Sequence, residues 1–347
     1  HIRIYTMKKD KRFFITLIYF LSMLTIIVIR AMFAFGIFGK LSYIQHDMTF
    51  SLLVQVFAMG IFPATLYIMF LKKNKVKKPL KSMLDDFGYS RGISLKSWLM
   101  VFVISIISPY VIVGISSVWQ SLLYFLGYNP GVASGGNIST VSMLLYELAF
   151  TAIMPAIFEE FTNRGLLYRA YNDTKKRYSV VLITSLMFAL MHSNITQVGY
   201  TFVCGLIAGT LVLHTKSIYP AVFYHFANNA VSVLRDYGEG TGNFLNVINK
   251  FYDWIFYKVS GNIVGNVLFF GAIIVIIWLL LELGVENSNR PVSRRKKKVE
   301  PQFEMLPSAD KTKIAICYKP IDNMFLYSTI VLMSLVTIYT LIWGILR

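Results

Sequence analysis

The amino-acid sequence predicts an all-α protein, a polytopic transmembrane helical bundle with about eight or nine spanning helices. Hydrophobic residues make up 56% of the 347 residues and charged residues only 15%, and the mean hydropathy is +0.58. Soluble globular proteins carry roughly 25% charged residues. The composition therefore excludes a soluble multidomain enzyme and a disordered scaffold. The apolar runs and the placement of the basic residues support the same fold class.

Apolar runs of roughly 20 residues, the length needed to cross the hydrocarbon core, recur along the chain. The fourth predicted span is overlong and the fifth is short, so their ends are the least well defined. No internal repeat is visible in the sequence. The predicted spans cover residues 13–38, 50–71, 98–126, 141–171, 180–192, 197–214, 218–234, 262–283 and 324–346.

Basic residues are concentrated in alternating connections, as is typical of cytoplasmic loops. The chain has 34 Lys and Arg residues against 17 Asp and Glu residues, for a net charge of +17. We predict a multi-pass protein of the cell membrane with its N-terminus in the cytoplasm and its C-terminus outside. The basic excess then needs no nucleic-acid partner, and the lipid bilayer is the expected environment. Most of the basic residues lie in segments 3–12, 72–81, 169–177 and 290–319.

The chain divides into predicted regions that differ in composition. Residues 1–138 hold the first spans and a basic cytoplasmic loop, and residues 139–236 hold core helices with unusual polar residues. An outer loop and an eighth span follow at 237–284, and a basic linker with an appended last helix completes the chain at 285–347. The basic run at 294–298 is typical of a solvated loop, and binding of anionic lipid or an acidic membrane partner is the alternative.

Cysteine and glycine spacing adds two smaller predictions. Cys204 and Cys317 form neither a disulfide framework nor a CxxC metal pair. Gly205 and Gly209 form a GxxxG motif, which predicts close packing between helices of the same chain.

The fourth predicted span contains two adjacent acidic residues, Glu159 and Glu160, and ionisable residues inside a span are costly and usually functional. Arg164 follows Glu160 by four residues, so we predict a structural ion pair on one helix face. Glu159, rotated by about 100°, is then free to face another helix. A partly desolvated carboxylate of this kind suits general-base work. Arg30, near the far end of the first span, is expected to snorkel to the interface.

Two histidines and an asparagine lie at comparable depth on other spans. His192 ends the fifth predicted span, and His225 and Asn229 are four residues apart on the seventh. At 1.5 Å per residue from the cytoplasmic turns, Glu159 and His192 lie about 23 Å deep, and His225 and Asn229 about 14 and 20 Å. A lone buried histidine is more often a hydrogen-bonded core residue. The agreement among all four depths predicts instead that these side chains meet in one layer.

Such a layer suits hydrolysis of a peptide bond without a covalent intermediate. Glu159 and His192 can hold and deprotonate a water molecule, while His225 and Asn229 donate hydrogen bonds to the oxyanion. No cofactor and no metal is expected, although a zinc site made by Glu159, His192 and His225 is the competing interpretation. A serine nucleophile is disfavoured because GxSxG is absent, and neither HExxH nor GxGD occurs.

These polar residues form three motifs that, in this order, resemble those of the CAAX protease and bacteriocin-processing family, also called Abi or CPBP. The resemblance covers roughly residues 142–234 and implies an all-helical intramembrane glutamic endopeptidase. The implied substrate is a peptide or a membrane-anchored protein, such as a prenylated CAAX protein. The motifs are Glu159-Glu160-x-x-x-Arg164, Phe188-x-x-x-His192 and His225-x-x-x-Asn229.

The resemblance also implies a role for each matching residue. Glu159 would activate the water with His192 as its partner, and His225 with Asn229 would form the oxyanion site. Glu160 and Arg164 would be the supporting pair, and Phe188 belongs to the second motif.

One residue departs from the family pattern. Asn163 stands before Arg164, where the family usually has a large apolar residue such as Phe. Because Asn163 follows Glu159 by four residues, we hypothesise that its side chain hydrogen-bonds the Glu159 carboxylate and alters its basicity.

A non-catalytic membrane protein is the main alternative to a peptidase. In a scaffold, or in an immunity or regulatory protein that binds a membrane protein partner, the same polar cluster would hold helices together, typically by ~1 kcal/mol or less per contact. The complete set of polar residues favours the enzyme. A transporter would have broken helices in symmetric halves, and no such symmetry is visible.

Overall fold

A computed structural model of the protein describes residues 2–39, 42–129, 138–171, 177–259, 263–288 and 323–346. Within these ranges every regular element is a helix, so the predicted all-α bundle is confirmed. The predicted basic linker falls mainly on residues 289–322, which lie outside the described residues. The helices are α1 (Ile2–Ala34), α2 (Tyr43–Ser51), π1 (Leu52–Ile61), α3 (Phe62–Lys73), α4 (Pro79–Asp86), α5 (Leu95–Phe125), α6 (Val141–Glu147), π2 (Leu148–Ile153), α7 (Met154–Glu160), π3 (Phe161–Leu167), α8 (Tyr168–Ala170), α9 (Arg177–Met191), α10 (Ile195–Thr215), α11 (Tyr219–Thr241), α12 (Asn246–Val259), α13 (Ile263–Ser288) and α14 (Met324–Leu346).

Several helices join end to end into continuous rods, and seven rods or single helices of the described chain are long and apolar enough to cross a membrane. The fourth predicted span is one such rod, since α6, π2, α7, π3 and α8 follow one another without a break. The seven are Lys11–Ala34, Gln45–Lys73, Leu95–Phe125, Val141–Ala170, Ile195–Thr215, Gly265–Ser288 and Met324–Leu346.

The other two predicted spans are helical but differ from the seven. The helix α9 has only 15 residues, because the chain turns directly after Met191, where Ser193 has a positive φ of 50°. The helix α11 is long enough, with 23 residues, but its polar side chains lower its hydropathy. Its C-terminal end, at Thr241, lies beyond the predicted end at 234. The helix α12 occupies part of the predicted outer loop.

Helices α9 and α10 pack closely at the GxxxG motif. A Cβ atom on Gly205 would lie 2.9 Å from both Cα and Cβ of Ser185, and one on Gly209 would lie 3.0 Å from a methyl carbon of Val181. Both neighbours belong to α9, so the predicted packing within the chain is confirmed. The backbones of α9 and α10 are therefore in close contact, directly before the turn that carries His192.

The segment between α4 and α5 packs across the end of the bundle that carries the basic segments. Phe87 is fully buried, and a Cβ atom on Gly165 would lie 2.9 Å from its ring. The Ser217 hydroxyl donates to the Arg91 carbonyl at 2.7 Å, and the Ile218 amide donates to the Gly88 carbonyl at 3.4 Å. This segment thus covers π3 and the connection between α10 and α11.

Replacement of Gly205 by Ala is expected to destabilise the bundle by about 1–3 kcal/mol, because the added methyl group overlaps the α9 backbone at Ser185. Thermal unfolding of the detergent-solubilised protein, followed by size-exclusion fluorescence, measures the effect. Gly271→Ala in α13 is the matched control, since nothing lies within 4 Å of its added Cβ. An unchanged Tm for Gly205→Ala would contradict the proposed close packing.

Candidate functional site

The two adjacent carboxylates lie at the junction between an α-helical and a π-helical segment. Glu159 and Glu160 are the last residues of α7, and π3 begins immediately after them. Short π-helical segments inside α-helices frequently occur at functional sites, because the wider turn changes the direction of the following side chains. Both glutamates are buried, Glu160 completely.

Glu160 is the centre of a buried charged network. Its Oε1 atom accepts a hydrogen bond from Arg164 Nη1 at 2.9 Å, so the predicted i,i+4 ion pair is confirmed. The same oxygen lies 2.9 Å from Nδ1 of His225. Arg164 and Glu160 both have no solvent exposure. This carboxylate therefore joins the fourth spanning rod to α11.

Arg164 extends the network to two further helices. Its Nη2 atom donates to the Gly205 carbonyl on α10 at 3.1 Å. Its guanidinium lies over the ring of Phe188 on α9, 4.4 Å from the centroid, a cation–π contact that is strong when desolvated. One buried arginine thus contacts both helices of the GxxxG pair.

Glu159 faces a different set of partners. Its Oε1 atom accepts a hydrogen bond from Gln55 Nε2 at 3.0 Å. Its Oε2 atom lies 4.0 Å from Nε2 of His225 and has no hydrogen-bond partner among the described residues. Buried polar atoms are nearly always hydrogen-bonded, to protein or to water. This oxygen therefore marks a position for a water molecule or a polar ligand.

The two histidines use their Nδ1 atoms for structural contacts. His192 Nδ1 lies 2.8 Å from the Phe188 carbonyl, which can only accept, so this nitrogen carries the proton and the neutral ring has a free lone pair on Nε2. Both rings meet Phe188 edge to face, at centroid distances of 5.2 Å for His192 and 5.5 Å for His225. Phe188 thus separates and orients the two imidazoles.

Asn229 lies on α11, one helical turn after His225. Its Nδ2 atom donates to the Thr151 carbonyl in π2 at 2.9 Å, which uses one of its two amide hydrogens. The neighbouring Asn228 accepts from the Ser108 hydroxyl at 3.2 Å. The amide of Asn229 is therefore held against the fourth spanning rod with one hydrogen left for another acceptor.

The hypothesis that Asn163 hydrogen-bonds the Glu159 carboxylate is wrong. The Asn163 amide donates to the backbone carbonyl of Glu159 at 2.9 Å and to the sulfur of Met191 at 3.2 Å. Its oxygen accepts from the Tyr19 hydroxyl at 2.9 Å. Because the Glu159 backbone, Met191 and Tyr19 occupy the Asn163 side chain, it points towards α1 and α9 and makes no hydrogen bond to the Glu159 carboxylate.

A cavity of about 580 Å³ contains the candidate residues. Its lining includes every residue to which the sequence assigned a catalytic role, together with Phe188 and Glu160, whereas Arg164 and Asn163 lie behind the wall. A cavity of this size is typical of ligand-binding sites. The predicted catalytic side chains on its wall are Glu159, His192, His225 and Asn229.

Two residues of the site were not assigned to it from the sequence. Gln55 in π1 bonds Glu159, and the signal that could have found it is its position as the one amide or charged residue of the predicted span 50–71. Arg30, which was expected only to snorkel to the interface, belongs to the site, because its Nη1 atom donates to the His192 carbonyl at 2.9 Å. This bond places a cation at the C-terminal end of α9, where the helix dipole favours it.

The donor set for a metal ion is incomplete. Within the described ranges, no group of three or more His, Cys, Asp or Glu side chains is arranged to hold a metal ion. The Nδ1 atoms of both histidines are already hydrogen-bonded, and the remaining Nε2 of His225 lies 4.0 Å from Glu159. A zinc site needs three or more such ligands that converge on one point, an arrangement that the described side chains do not provide.

Comparison with known proteins supports the resemblance for one part of the chain. The family model Rce1-like, described as type II CAAX prenyl endopeptidase Rce1-like, matches residues 141–231. This region holds the candidate residues, which agrees with the CAAX protease and CPBP resemblance. They are Glu159, Glu160, His192, His225 and Asn229. The chain has no match among curated proteins or among solved structures.

Replacement of Glu160 by Gln is expected to destabilise the protein by about 3–5 kcal/mol, because it leaves the fully buried Arg164 without its counter-charge. The matched control is Glu282→Gln, which breaks an exposed 3.1 Å pair with Lys96 and should cost about 1 kcal/mol or less. Thermal or denaturant unfolding in detergent measures both variants. An equal loss of stability in the two variants would contradict a larger contribution from the buried pair.

Proposed function

We propose that this protein is an intramembrane endopeptidase of the glutamic type, which hydrolyses a peptide bond in a peptide or a membrane-anchored protein. The observation that carries the proposal is the buried Oε2 atom of Glu159. It faces the cavity without a described partner and lies 4.0 Å from Nε2 of His225. The match of residues 141–231 to a prenyl endopeptidase model supports the same reaction class.

In the proposed mechanism Glu159 is the general base. A water molecule between Glu159 Oε2 and the histidines gives one proton to the carboxylate as its oxygen attacks the carbonyl carbon. The free lone pair on His192 Nε2 accepts a hydrogen bond from the second proton and orients the water. Gln55, bonded to the other oxygen of Glu159, fixes the carboxylate in place. Protonated Glu159 then donates to the leaving amine, and the products are a carboxylic acid and an amine.

His225 and Asn229 are the proposed donors to the oxyanion. The Glu160 carboxylate holds His225 through Nδ1, so Nε2 carries a second proton when the ring is an imidazolium. In that form the positive charges of Arg164 and His225 oppose the negative charges of Glu159 and Glu160. The remaining amide hydrogen of Asn229 adds a second donor. Oxyanion donors of this kind are usually the largest electrostatic contribution to acyl-transfer catalysis.

The proposal includes a membrane setting. The distribution of the basic segments supports an N-terminus in the cytoplasm and an end of α14 outside, in a multi-pass protein of the cell membrane. Its proposed partners are the lipid bilayer and a peptide or membrane-anchored substrate. No nucleic acid is involved, and the proposed reaction uses no cofactor.

Replacement of Glu159 by Gln is expected to lower kcat by about 10²–10⁴-fold, because it removes the general base while the amide keeps the shape of the side chain. The assay is cleavage of prenylated and unprenylated peptides by the full chain in proteoliposomes, read by mass spectrometry. Glu147→Gln is the control on the same rod, since Glu147 contacts Thr151 and does not line the cavity. Undiminished cleavage by Glu159→Gln would refute the enzyme assignment and favour the scaffold alternative.

Replacement of Asn229 by Ala is expected to reduce kcat about 10²–10³-fold, with a smaller change in KM, because an oxyanion donor acts mainly in the transition state. The neighbouring Asn228→Ala is the control, since this residue bonds Ser108 and the Tyr224 carbonyl. The same peptide assay gives both constants. A loss confined to KM in Asn229→Ala would assign this amide to ground-state binding and contradict its proposed role.

A further inference from the structure

The catalytic cavity is lined by the middle and by the non-basic part of the surrounding helices. From α9 it takes Phe188 and the turn residue His192, and from α10 it takes residues between Gln197 and Ala208. From α11 it takes residues between Tyr224 and Arg235. On α9 and α10 these positions lie towards the helix end farthest from the basic segments, and on α11 they lie about its middle. The cavity therefore extends towards the non-basic end of the bundle, the end at which α1 and α14 terminate.

The opposite end of the site is covered by protein. The residues of π3 that follow Glu160 are buried from Thr162 to Leu167. Over them lies the segment between α4 and α5, with Phe87 against Gly165 and the Gly88 carbonyl bonded to the Ile218 amide. None of these residues lines the cavity. A substrate that approached from the basic end would have to displace this packed segment.

A second cavity, of about 500 Å³, adjoins the catalytic cavity at the non-basic end. The two share Phe50, His192 and Gln197 in their walls, so His192 faces both. We call this second cavity the Arg30 vestibule. The further residues that line it include Arg30, Tyr128, Asn194, Tyr339, Thr340 and Trp343.

The vestibule is held open by contacts between helices distant in sequence. The Thr340 hydroxyl of α14 accepts a hydrogen bond from the Ile195 amide at the start of α10, at 3.1 Å. The backbone N–H of Asn129 donates to the Gly344 carbonyl at 2.8 Å. The Tyr128 ring lies so close to Gly344 that a Cβ atom would not fit there. Helix α14 therefore forms a fixed wall beside the turn that carries His192.

Arg30 is the one permanently charged side chain among the described residues that line the vestibule. Its Nη1 atom donates a hydrogen bond to the His192 carbonyl, whereas its buried Nε atom has no partner among the described residues. A guanidinium pairs with carboxylates through two parallel hydrogen bonds. The aromatic rings of Tyr339 and Trp343, which are stacked 6.3 Å apart on α14, provide apolar surface on the facing wall.

We propose that the Arg30 vestibule is the entry and binding subsite for the substrate, that it opens at the non-basic end of the bundle, and that it takes a peptide segment carrying a carboxylate, which Arg30 holds. The inference rests on the proposed peptidase function and adds the side of access and the chemistry of the substrate. With the basic loops in the cytoplasm, the substrate is a peptide, or part of a membrane protein, exposed on the outer face. The carboxylate is either a C-terminus or an acidic side chain.

The side of access is tested without any cleavage assay. Gln197→Cys in a Cys204→Ala, Cys317→Ala background is treated in sealed vesicles of known orientation with a membrane-impermeant maleimide. Lys81→Cys, on exposed α4 at the basic end, is the reference. The expected result is labelling of the two cysteines from opposite sides. Labelling from the same side, or of Gln197→Cys from neither side, would overturn the proposal even if peptides are cleaved.

The carboxylate is tested by comparing paired peptides. One pair ends in a carboxylate or a carboxamide, and the other has Glu or Gln at the same internal position. We expect the wild type to cleave the charged member of one pair with a kcat/KM about 10-fold or more higher, as suits a hydrogen bond to a charged group. The pair that shows the preference identifies the source of the carboxylate. No preference in either pair would overturn the assignment of Arg30.

The variant Arg30→Gln separates binding from a structural role. Because Arg30 also bonds the His192 carbonyl, a purely structural role would lower kcat/KM equally for both members of a pair. Loss of the preference, mainly through KM for the charged peptide, is the expected result, and Arg30→Lys should restore part of it. A preference that survives in Arg30→Gln would overturn the proposal. Absence of all cleavage by the wild type would instead refute the proposed function, while the labelling result would still stand.

Discussion

The buried ion pair between Glu160 and Arg164 is the interaction on which the rest of the site depends. A charged pair without solvent exposure is stable only if its remaining hydrogen-bonding atoms find partners. Three partners come from other helices, namely the Gly205 carbonyl, the ring of Phe188 and His225 Nδ1, whereas Glu160 Oε2 and Arg164 Nε have no partner among the described residues. The contacts of this one pair thus hold α9, α10 and α11 around the fourth spanning rod. Glu159, the preceding residue, lines the cavity.

Close helix packing and catalytic geometry are coupled through the same residues. Gly205 lets α10 approach α9 at Ser185, and its carbonyl also receives the Arg164 hydrogen bond. A larger residue at this position would separate the two helices and weaken the contact that orients Arg164. The coupling extends to His225, because Arg164 and His225 bond the same oxygen of Glu160.

The sequence predicted the features that depend on local spacing. The apolar runs, the i,i+4 ion pair and the GxxxG contact follow from helix geometry alone, and the structure confirms them. The partners of Glu159 and His192 could not be predicted, because Gln55 and Arg30 come from segments more than a hundred positions away. The error at Asn163 has a different cause. Spacing alone could not show that the Glu159 backbone carbonyl, Met191 and Tyr19 would occupy the Asn163 side chain in place of the Glu159 carboxylate.

In the proposed mechanism Glu159 acts on the oxygen that comes from water. His225 and Asn229 act on the other oxygen of the tetrahedral intermediate, which comes from the carbonyl. A structure of the protein with a peptidyl trifluoromethyl ketone tests this mechanism directly, because such a ketone hydrates to a diol that resembles the tetrahedral intermediate. The account predicts one hydroxyl against Glu159 Oε2 and the other within hydrogen-bonding distance of His225 Nε2 and Asn229 Nδ2. A ketone carbon bonded to a protein nucleophile, or a diol bound away from Glu159, would contradict it.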